Sequence, residues 1–148
     1  MFSRFKPNLN PTHAPHIHPF LGILGLLGFL GFLGFVPISY NGEAATYPTF
    51  FFFFNFFGCF GFYYKGKMSG TFVDERFKFN AGRASTLAYK AAFAFLFGIS
   101  VSVISAINGG LLASSHIAIS ILIAASGLAL ALVIFLEPYL LYKYENEE

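Results

Sequence analysis

Charge is scarce in this chain: of its 148 residues only 11% are Asp, Glu, Lys or Arg, where a soluble domain carries about 25%. Tryptophan is absent, and with a single cysteine, Cys59, no intrachain disulfide can form. Hydrophobic residues make up 56% of the chain and include 22 Phe. A soluble domain of this length cannot bury so many large apolar side chains. The composition therefore predicts a membrane protein.

The long apolar runs also lack ionisable side chains. Proton relays, ion-coupled transporters and voltage sensors need such groups at membrane depth, so these classes are disfavoured. The net charge of +2 is too small to indicate direct nucleic-acid binding. No residue pattern indicates catalysis or a cofactor. We therefore expect a protein that is not an enzyme and that binds no cofactor.

Four apolar runs are predicted to cross the membrane in an all-α fold with a single domain. They cover about residues 20–40, 47–64, 91–108 and 117–136. Pro138, directly after Glu137, is expected to end the fourth helix. The four-helix membrane domain is thus predicted over residues 20–142, after a flexible leader with Pro and His at 1–19 and before an acidic tail at 143–148.

The cations are distributed on one side of these runs. All nine Lys and Arg fall in the leader, in the segment between runs two and three, or after run four, namely Arg4, Lys6, Lys65, Lys67, Arg76, Lys78, Arg83, Lys90 and Lys143. The two remaining loops hold none. Because positive charge favours the cytoplasmic side, both termini are predicted to be cytoplasmic, in a multi-pass plasma-membrane protein.

The first run contains glycine at every third position: Gly22, Gly25, Gly28, Gly31 and Gly34. In an α-helix each step of three turns the glycine back by about 60°, so the five should spread around the helix and form no common face. We predict an adaptable helix whose glycine notches receive Phe side chains of the second run. The alternative is a low-complexity tract with no specific partner.

Small residues form stripes in the last two runs. The stripe of the third run consists of Ala94, Gly98, Ser102, Ser105 and Gly109. The stripe of the fourth run consists of Ser120, Ala124, Gly127 and Ala131. The two stripes are predicted to pack together as a close hairpin, since small residues let membrane helices approach. Asn55, near the centre of the second run, is predicted to make an interhelical hydrogen bond.

The leader contains three histidines between prolines: His13, His16 and His18. Three imidazoles in an extended segment are able to converge on a transition metal. No cysteine or carboxylate accompanies them, so they are weak candidates for a metal site. A solvated N-terminal segment is the default interpretation.

The segment between runs two and three is the most patterned polar region. Thr71 and Asp74 have the spacing of a capping box, which predicts a helix from about residue 72 to 90 that continues into the third run. One face carries Phe72, Arg76, Phe79, Arg83 and Lys90. The other, small and polar, carries Asp74, Lys78, Ala81, Ser85 and Ala88.

This helix has two interpretations. A mixed Phe and Arg face is typical of the lipid headgroup layer, whereas the small, polar face favours docking of a protein partner. The candidate contact residues for lipid or partner are Asp74, Glu75, Arg76, Lys78, Arg83 and Lys90.

Three stretches carry a family resemblance: LGILGLLGFLGFLGF from Leu21, FFFNFFGCFGFYYKGKM from Phe52 and DERFKFNAGRA from Asp74. Over about residues 20–97 the chain resembles small prokaryotic membrane proteins grouped as domain of unknown function 3796. That family supplies no reaction, cofactor or catalytic residue. The resemblance implies a prokaryotic plasma membrane and a cytosolic regulator as a partner for the helix that begins at Asp74.

The leading functional hypothesis is a non-enzymatic accessory or regulatory membrane protein that acts through helix 72–90. Its partners would be membrane lipids and a cytosolic regulator or another membrane protein. The alternative is a small passive anion channel or transporter, because Asn55, Gly58 and Phe60 faintly resemble the Asn-Gly-Phe pattern of small four-span fluoride channels. A membrane enzyme subunit that binds lipid or quinone is a third possibility.

Overall fold

A computed structural model describes residues 13–36, 38–40, 43–45, 47–111 and 115–147. The elements in chain order are two 3₁₀-helices, three α-helices and one short hairpin. They are η1 Pro19–Phe35, β1 Ile38–Tyr40, β2 Glu43–Ala45, η2 Pro48–Phe60, α1 Gly61–Lys67, α2 Glu75–Asn108 and α3 Ser115–Asn146. Predominantly helical structure is confirmed. The strands β1 and β2, with Ile38 opposite Ala45, are an addition to the predicted all-α fold.

Two helices are long and apolar enough to cross a bilayer, α2 over Glu75–Asn108 and α3 over His116–Asn146. A shorter apolar helix covers Pro19–Phe35. The helices pack in the order η1, η2 with α1, α3 and α2, so that α3 contacts both the aromatic helix η2 and the long helix α2. The composition and these two helices together support a membrane protein.

Helix η1 has three residues per turn, which overturns the expectation that its glycines form no common face. In a 3₁₀-helix, residues i and i+3 lie one above the other. All five glycines therefore form one row, and all five are buried. The earlier expectation assumed the 3.6 residues per turn of an α-helix.

The glycine row faces an aromatic row on η2 and α1, which confirms that the notches receive Phe. The pairs run antiparallel: Gly22 with Tyr63, Gly25 with Phe60, Gly28 with Phe57, Gly31 with Phe54 and Gly34 with Phe51. We call this contact the Gly–aromatic seam. A Cβ added to Gly28 would lie 2.5 Å from Cδ1 of Phe57, closer than real Cβ atoms approach. No larger residue fits the seam without displacing a ring.

The rings of η2 are stacked at the pitch of its own helix. Ring centroids are 5.9 Å apart between Phe51 and Phe54, 5.9 Å between Phe54 and Phe57, and 6.4 Å between Phe57 and Phe60. Three residues of 3₁₀-helix rise about 6 Å, so each turn places one ring above the previous one. Phe29 meets Phe57 edge-on, with centroids 5.1 Å apart, and so locks η1 to this stack.

The small-residue stripe of α3 faces η2 instead of α2. Gly127 is buried, and a Cβ there would lie 3.0 Å from the Phe51 carbonyl oxygen. Ala124 belongs to the buried cluster of Phe51 and Phe54. The α3 stripe therefore makes a close helix contact, as predicted, but it packs against η2 and not against the α2 stripe.

The predicted stripe of α2 faces outward, which is a second correction. Gly98 and Ser102 are exposed, and an added Cβ at Gly98 meets nothing within 4 Å. The buried row of α2 contains every fourth residue, from Asn80 through Ala84 and Ala88 to Ala92. Ala92 and Ala94 differ by about 200° around an α-helix, so the row that packs lies opposite the stripe.

Helix α3 continues past Pro138 to Asn146, so the predicted end at Glu137 is wrong. Pro138 lacks the N–H that would bond to the Ile134 carbonyl. The space where Gly61 would carry a Cβ holds that carbonyl and the Pro138 ring, which is fully buried. Close approach of the Gly61 backbone thus accommodates the break in the hydrogen-bond ladder.

Replacement of Gly28 with Ala tests the seam. We expect Gly28→Ala to lower the free energy of unfolding by about 1–3 kcal/mol, because the methyl group displaces the Phe57 ring. Gly82→Ala in α2 is the matched control, since its added Cβ meets nothing within 4 Å; it should stabilise by about 0.5–1 kcal/mol. Denaturant titration in detergent micelles measures both. Equal effects of the two substitutions would refute the seam.

A second pair of variants tests which face of each long helix packs. Gly127→Leu should destabilise by about 1–3 kcal/mol because the new side chain meets the backbone of Phe51, whereas Gly98→Leu should cause no loss of stability. Thermal unfolding in detergent reads out the difference. A larger loss of stability for Gly98→Leu than for Gly127→Leu would instead support the predicted contact between the two stripes.

Candidate interaction surface

Polar and charged side chains gather at one end of the helices. This end comprises residues 13–18, 65–90 and 137–147 and is called the charged end below. It has its own core, in which Met68, Ala84 and Leu141 are buried together. Phe77 and Tyr144 pack against that core. The first turns of α2 and the last turns of α3 thus extend the bundle as folded structure.

The leader is tied to the charged end from residue 13 onward. The Ala14 N–H donates to the Thr71 carbonyl at 2.9 Å, and the Gly70 N–H donates to the Ala14 carbonyl at 3.2 Å. The Ile17 N–H donates to Ser69 Oγ at 2.8 Å, and that hydroxyl donates to the Ile17 carbonyl at 2.9 Å. Residues 13–18 of the predicted flexible leader are therefore held by hydrogen bonds to residues 69–71. Residues 1–12 lie outside the part of the chain that the structure describes.

The three histidines have separate surroundings. The His13 ring contacts the Phe72 ring edge-on and lies with Nδ1 3.2 Å from the Gly70 carbonyl. His18 caps η1, accepting from the Phe20 N–H at 3.4 Å. His16 is exposed. Over the described ranges, no group of three or more His, Cys, Asp or Glu is placed to hold a metal ion.

Asn80 joins α2 to the last turns of α3. It is 8% exposed, and its Nδ2 donates to Glu145 Oε1 at 2.7 Å. Glu145 was predicted to belong to an acidic tail, yet it lies in α3 and makes this contact. A buried amide that meets a carboxylate fixes the register of the two helices, because a shift of one turn would leave both groups without a partner.

Two cations at the charged end lie over aromatic rings. The Arg83 guanidinium carbon is 4.8 Å from the Tyr144 ring centroid. Lys67 Nζ is 4.8 Å from the Tyr63 centroid and 5.7 Å from the Tyr142 centroid. The hydrogen bond to Tyr63, and then the electrostatic interaction with Tyr142, raise the pKa of Lys67. Lys67 therefore stays cationic at physiological pH.

A groove of about 690 Å³ lies between the first half of α2 and the end of α3. Three cations line it: Lys78, Arg83 and Lys90. The other lining residues are Phe79, Gly82, Thr86, Leu87 and Tyr144. The described residues place no carboxylate within ion-pair distance of these three cations. We call this site the basic groove.

The six predicted contact residues separate into two sets. Lys78, Arg83 and Lys90 share the basic groove, whereas Asp74 is the N-cap of α2 and accepts from the Phe77 N–H at 2.7 Å. Glu75 is exposed in the first turn of α2, where a carboxylate favours the helix dipole. Asp74 is thus the cap itself and not the third position of a capping box that begins at Thr71.

Arg76, the last of the six, is exposed and takes part in an interaction of its own. Part of the small, polar face that was predicted to dock a partner is covered by the chain itself. Ala84 and Ala88 are fully buried and Ser85 is half-buried, because this side of α2 packs on α3. Asp74 and Lys78 of the same predicted face stay exposed, and Lys78 lines the basic groove.

Comparison with protein-family models, with curated proteins and with solved structures finds no match to this chain. Any function of the charged end therefore has to be inferred from its own residues. It carries exposed carboxylates at Asp74, Glu75 and Glu147, whereas the three cations Lys78, Arg83 and Lys90 are gathered in the basic groove.

Asn55 does not make the predicted bond between helices. Its Nδ2 donates to the Phe52 carbonyl at 3.0 Å within η2, and its buried Oδ1 has no donor among the described residues. Three residues per turn place the Phe52 carbonyl directly below Asn55. Ser120, predicted to pack on the third run, instead lines a small pocket with Gly34 and Phe51.

Sequence reasoning missed the groove residues Gly82, Thr86, Leu87 and Tyr144 and the contact between Asn80 and Glu145. The signal for Tyr144 and Glu145 was present: Leu141, Tyr144 and Glu145 follow Glu137 by four, seven and eight residues, as on one helical face. Pro138 obscured the pattern because proline after an apolar run normally marks a helix end. Nothing in the local sequence distinguishes Asn80 from an exposed helical asparagine.

Loss of the Asn80–Glu145 bond should weaken the charged end. We expect Asn80→Ala to lower the free energy of unfolding by about 1–3 kcal/mol, because the Glu145 carboxylate loses its donor. Asn146→Ala, at an exposed position whose Nδ2 bonds only within α3, is the control and should stay within about 0.5 kcal/mol. Denaturant titration compares them, and equal losses would mean that the bond contributes nothing specific.

Proposed function

We propose that the chain is a multi-pass membrane protein with four crossings and cytoplasmic termini, and that it acts as a non-enzymatic accessory or regulatory component through its charged end. The observation that carries the proposal is the basic groove. It joins three cations and an exposed Phe at the end of a membrane-length helix.

The two 3₁₀-helices support four crossings. At about 2.0 Å per residue, a 17-residue helix such as η1 is roughly 34 Å long. The 13 residues of η2 and the seven of α1 together reach roughly 36 Å. Each exceeds the ~30 Å of hydrocarbon in a bilayer. An α-helix with the 17 residues of η1 would reach only about 25 Å.

The position of the charges supports the orientation. With four crossings, every Lys and Arg of the chain falls on the side of the charged end, and the positive-inside bias makes that side cytoplasmic. Tyr63, Tyr64, Tyr139 and Tyr142 lie near the boundary, where aromatic side chains favour the interface. The resemblance to the prokaryotic family agrees with a plasma membrane and with a cytosolic regulator as partner.

The continuity of α2 favours a projecting helix over one that lies flat in the headgroups. Glu75–Asn108 is one uninterrupted helix whose apolar half begins after Lys90. Its first half therefore leaves the membrane along the same axis. The core around Met68 and Leu141 covers one side of this projection, and the basic groove forms the other.

The channel alternative gains no support from the three residues that resemble a fluoride-channel pattern. Asn55 bonds within η2, Gly58 packs against Ala131 and Ile134, and Phe60 fills the notch at Gly25. Gly58 and Phe60 are thus used for helix packing, and Asn55 is bonded within its own helix. We therefore do not propose transport.

Cysteine accessibility tests the topology. In a Cys59→Ala background, Ala44→Cys should react with a membrane-impermeant maleimide added to intact spheroplasts, because residue 44 lies in the external hairpin of the proposed topology. Thr86→Cys should react only after permeabilisation. Labelling of position 86 in intact spheroplasts, or protection of position 44, would contradict four crossings with cytoplasmic termini.

A further inference from the structure

The basic groove is too far from the bilayer for most of its length to serve lipid headgroups. Along α2, Arg83 lies about 10 Å beyond Lys90 and Lys78 about 18 Å beyond it, at 1.5 Å per residue. The headgroup layer is only about 5–8 Å thick on each side. Lys90 is at headgroup depth, whereas Lys78 and Arg83 project into the cytosol in the proposed topology.

The apolar residues of the groove also favour a protein partner over lipid headgroups. Phe79 is 71% exposed, and Leu87, about two turns further along α2, is exposed in the same groove. Phe79 lies about 16 Å beyond Lys90, where acyl chains do not reach. An exposed aromatic ring between unpaired cations in water is typical of a protein interaction site.

The third observation is a fixed platform at the centre of the groove. A cation–π contact with the Tyr144 ring positions the Arg83 guanidinium, whose planar set of N–H groups suits a carboxylate. Gly82 leaves open space beside it, since an added Cβ there meets nothing within 4 Å. Thr86 adds a hydroxyl on the same wall.

We propose that the basic groove binds an acidic segment of a cytosolic protein that also carries an apolar side chain for the Phe79 and Leu87 surface. Three cations spread over about 18 Å match carboxylates distributed along a peptide better than they match one phosphate group. This inference rests on the proposed function, because it requires the groove to face the cytosol.

Photo-crosslinking from within the groove tests the inference. The full chain, in its own membrane, carries p-benzoylphenylalanine in place of Gly82. Light should join it to a cytosolic protein, and mass spectrometry should map the adduct to a segment rich in Asp and Glu. Lys78→Glu together with Lys90→Glu should reduce the adduct by about tenfold or more, since like charges then face each other. Lysine substitutions in the mapped acidic segment should restore it.

The control places the same photoreactive residue at Gly98, which is equally open but lies in the apolar half of α2; it should yield lipid adducts only. Adducts from position 82 with phospholipid alone, no adduct at all, or a protein adduct that survives the charge reversals would each overturn the inference. Thermal unfolding confirms that the double variant is folded. Maleimide labelling of position 44 in intact spheroplasts tests the topology separately, so a failure of the proposed function is distinguishable.

Discussion

The close contact between glycine and aromatic rings in the Gly–aromatic seam is the constraint on which the rest of the structure depends. An aromatic stack repeats at about 6 Å, the rise of three residues in a 3₁₀-helix. Glycine and aromatic residues at every third position therefore meet only if both helices keep three residues per turn. Long 3₁₀-helices are uncommon because their hydrogen bonds are strained. Here the interlocked rings compensate, and a bilayer would leave the backbone no water as an alternative partner.

The seam also determines how the α-helical half is attached. Rings that point from η2 into η1 leave a backbone surface on the other side of η2, where Gly58 and Gly127 let α3 approach closely. The chain returns to α-helical geometry at Gly61, opposite Pro138, where the ladder of α3 is broken. With α3 placed in this way, its last turns meet the first turns of α2 and form the charged end. The basic groove is thus a consequence of the packing in the apolar part.

The sequence predicts the helical class and the apolar runs, because composition and run length depend on the solvent and hardly on tertiary contacts. It also predicts that glycine notches take Phe rings. It fails where the α-helical period was assumed: the glycine row was missed, and the α2 stripe was assigned to packing although Gly98 faces outward. Of the six charged residues predicted as contacts, Lys78, Arg83 and Lys90 share the groove. Asn80 and Glu145 are 65 residues apart, so their contact required the fold.

The helical rise of η1 is the most direct test of this account. Leu21 and Leu33 are both exposed and are separated by four turns of a 3₁₀-helix. Spin labels at these positions, in a Cys59→Ala background in nanodiscs, allow double electron–electron resonance spectroscopy to measure the distance between them. A 3₁₀-helix predicts about 24 Å between the two backbone positions, with both labels on one face, and an α-helix about 18 Å. A distance near the longer value supports the seam, and one near the shorter value would contradict it.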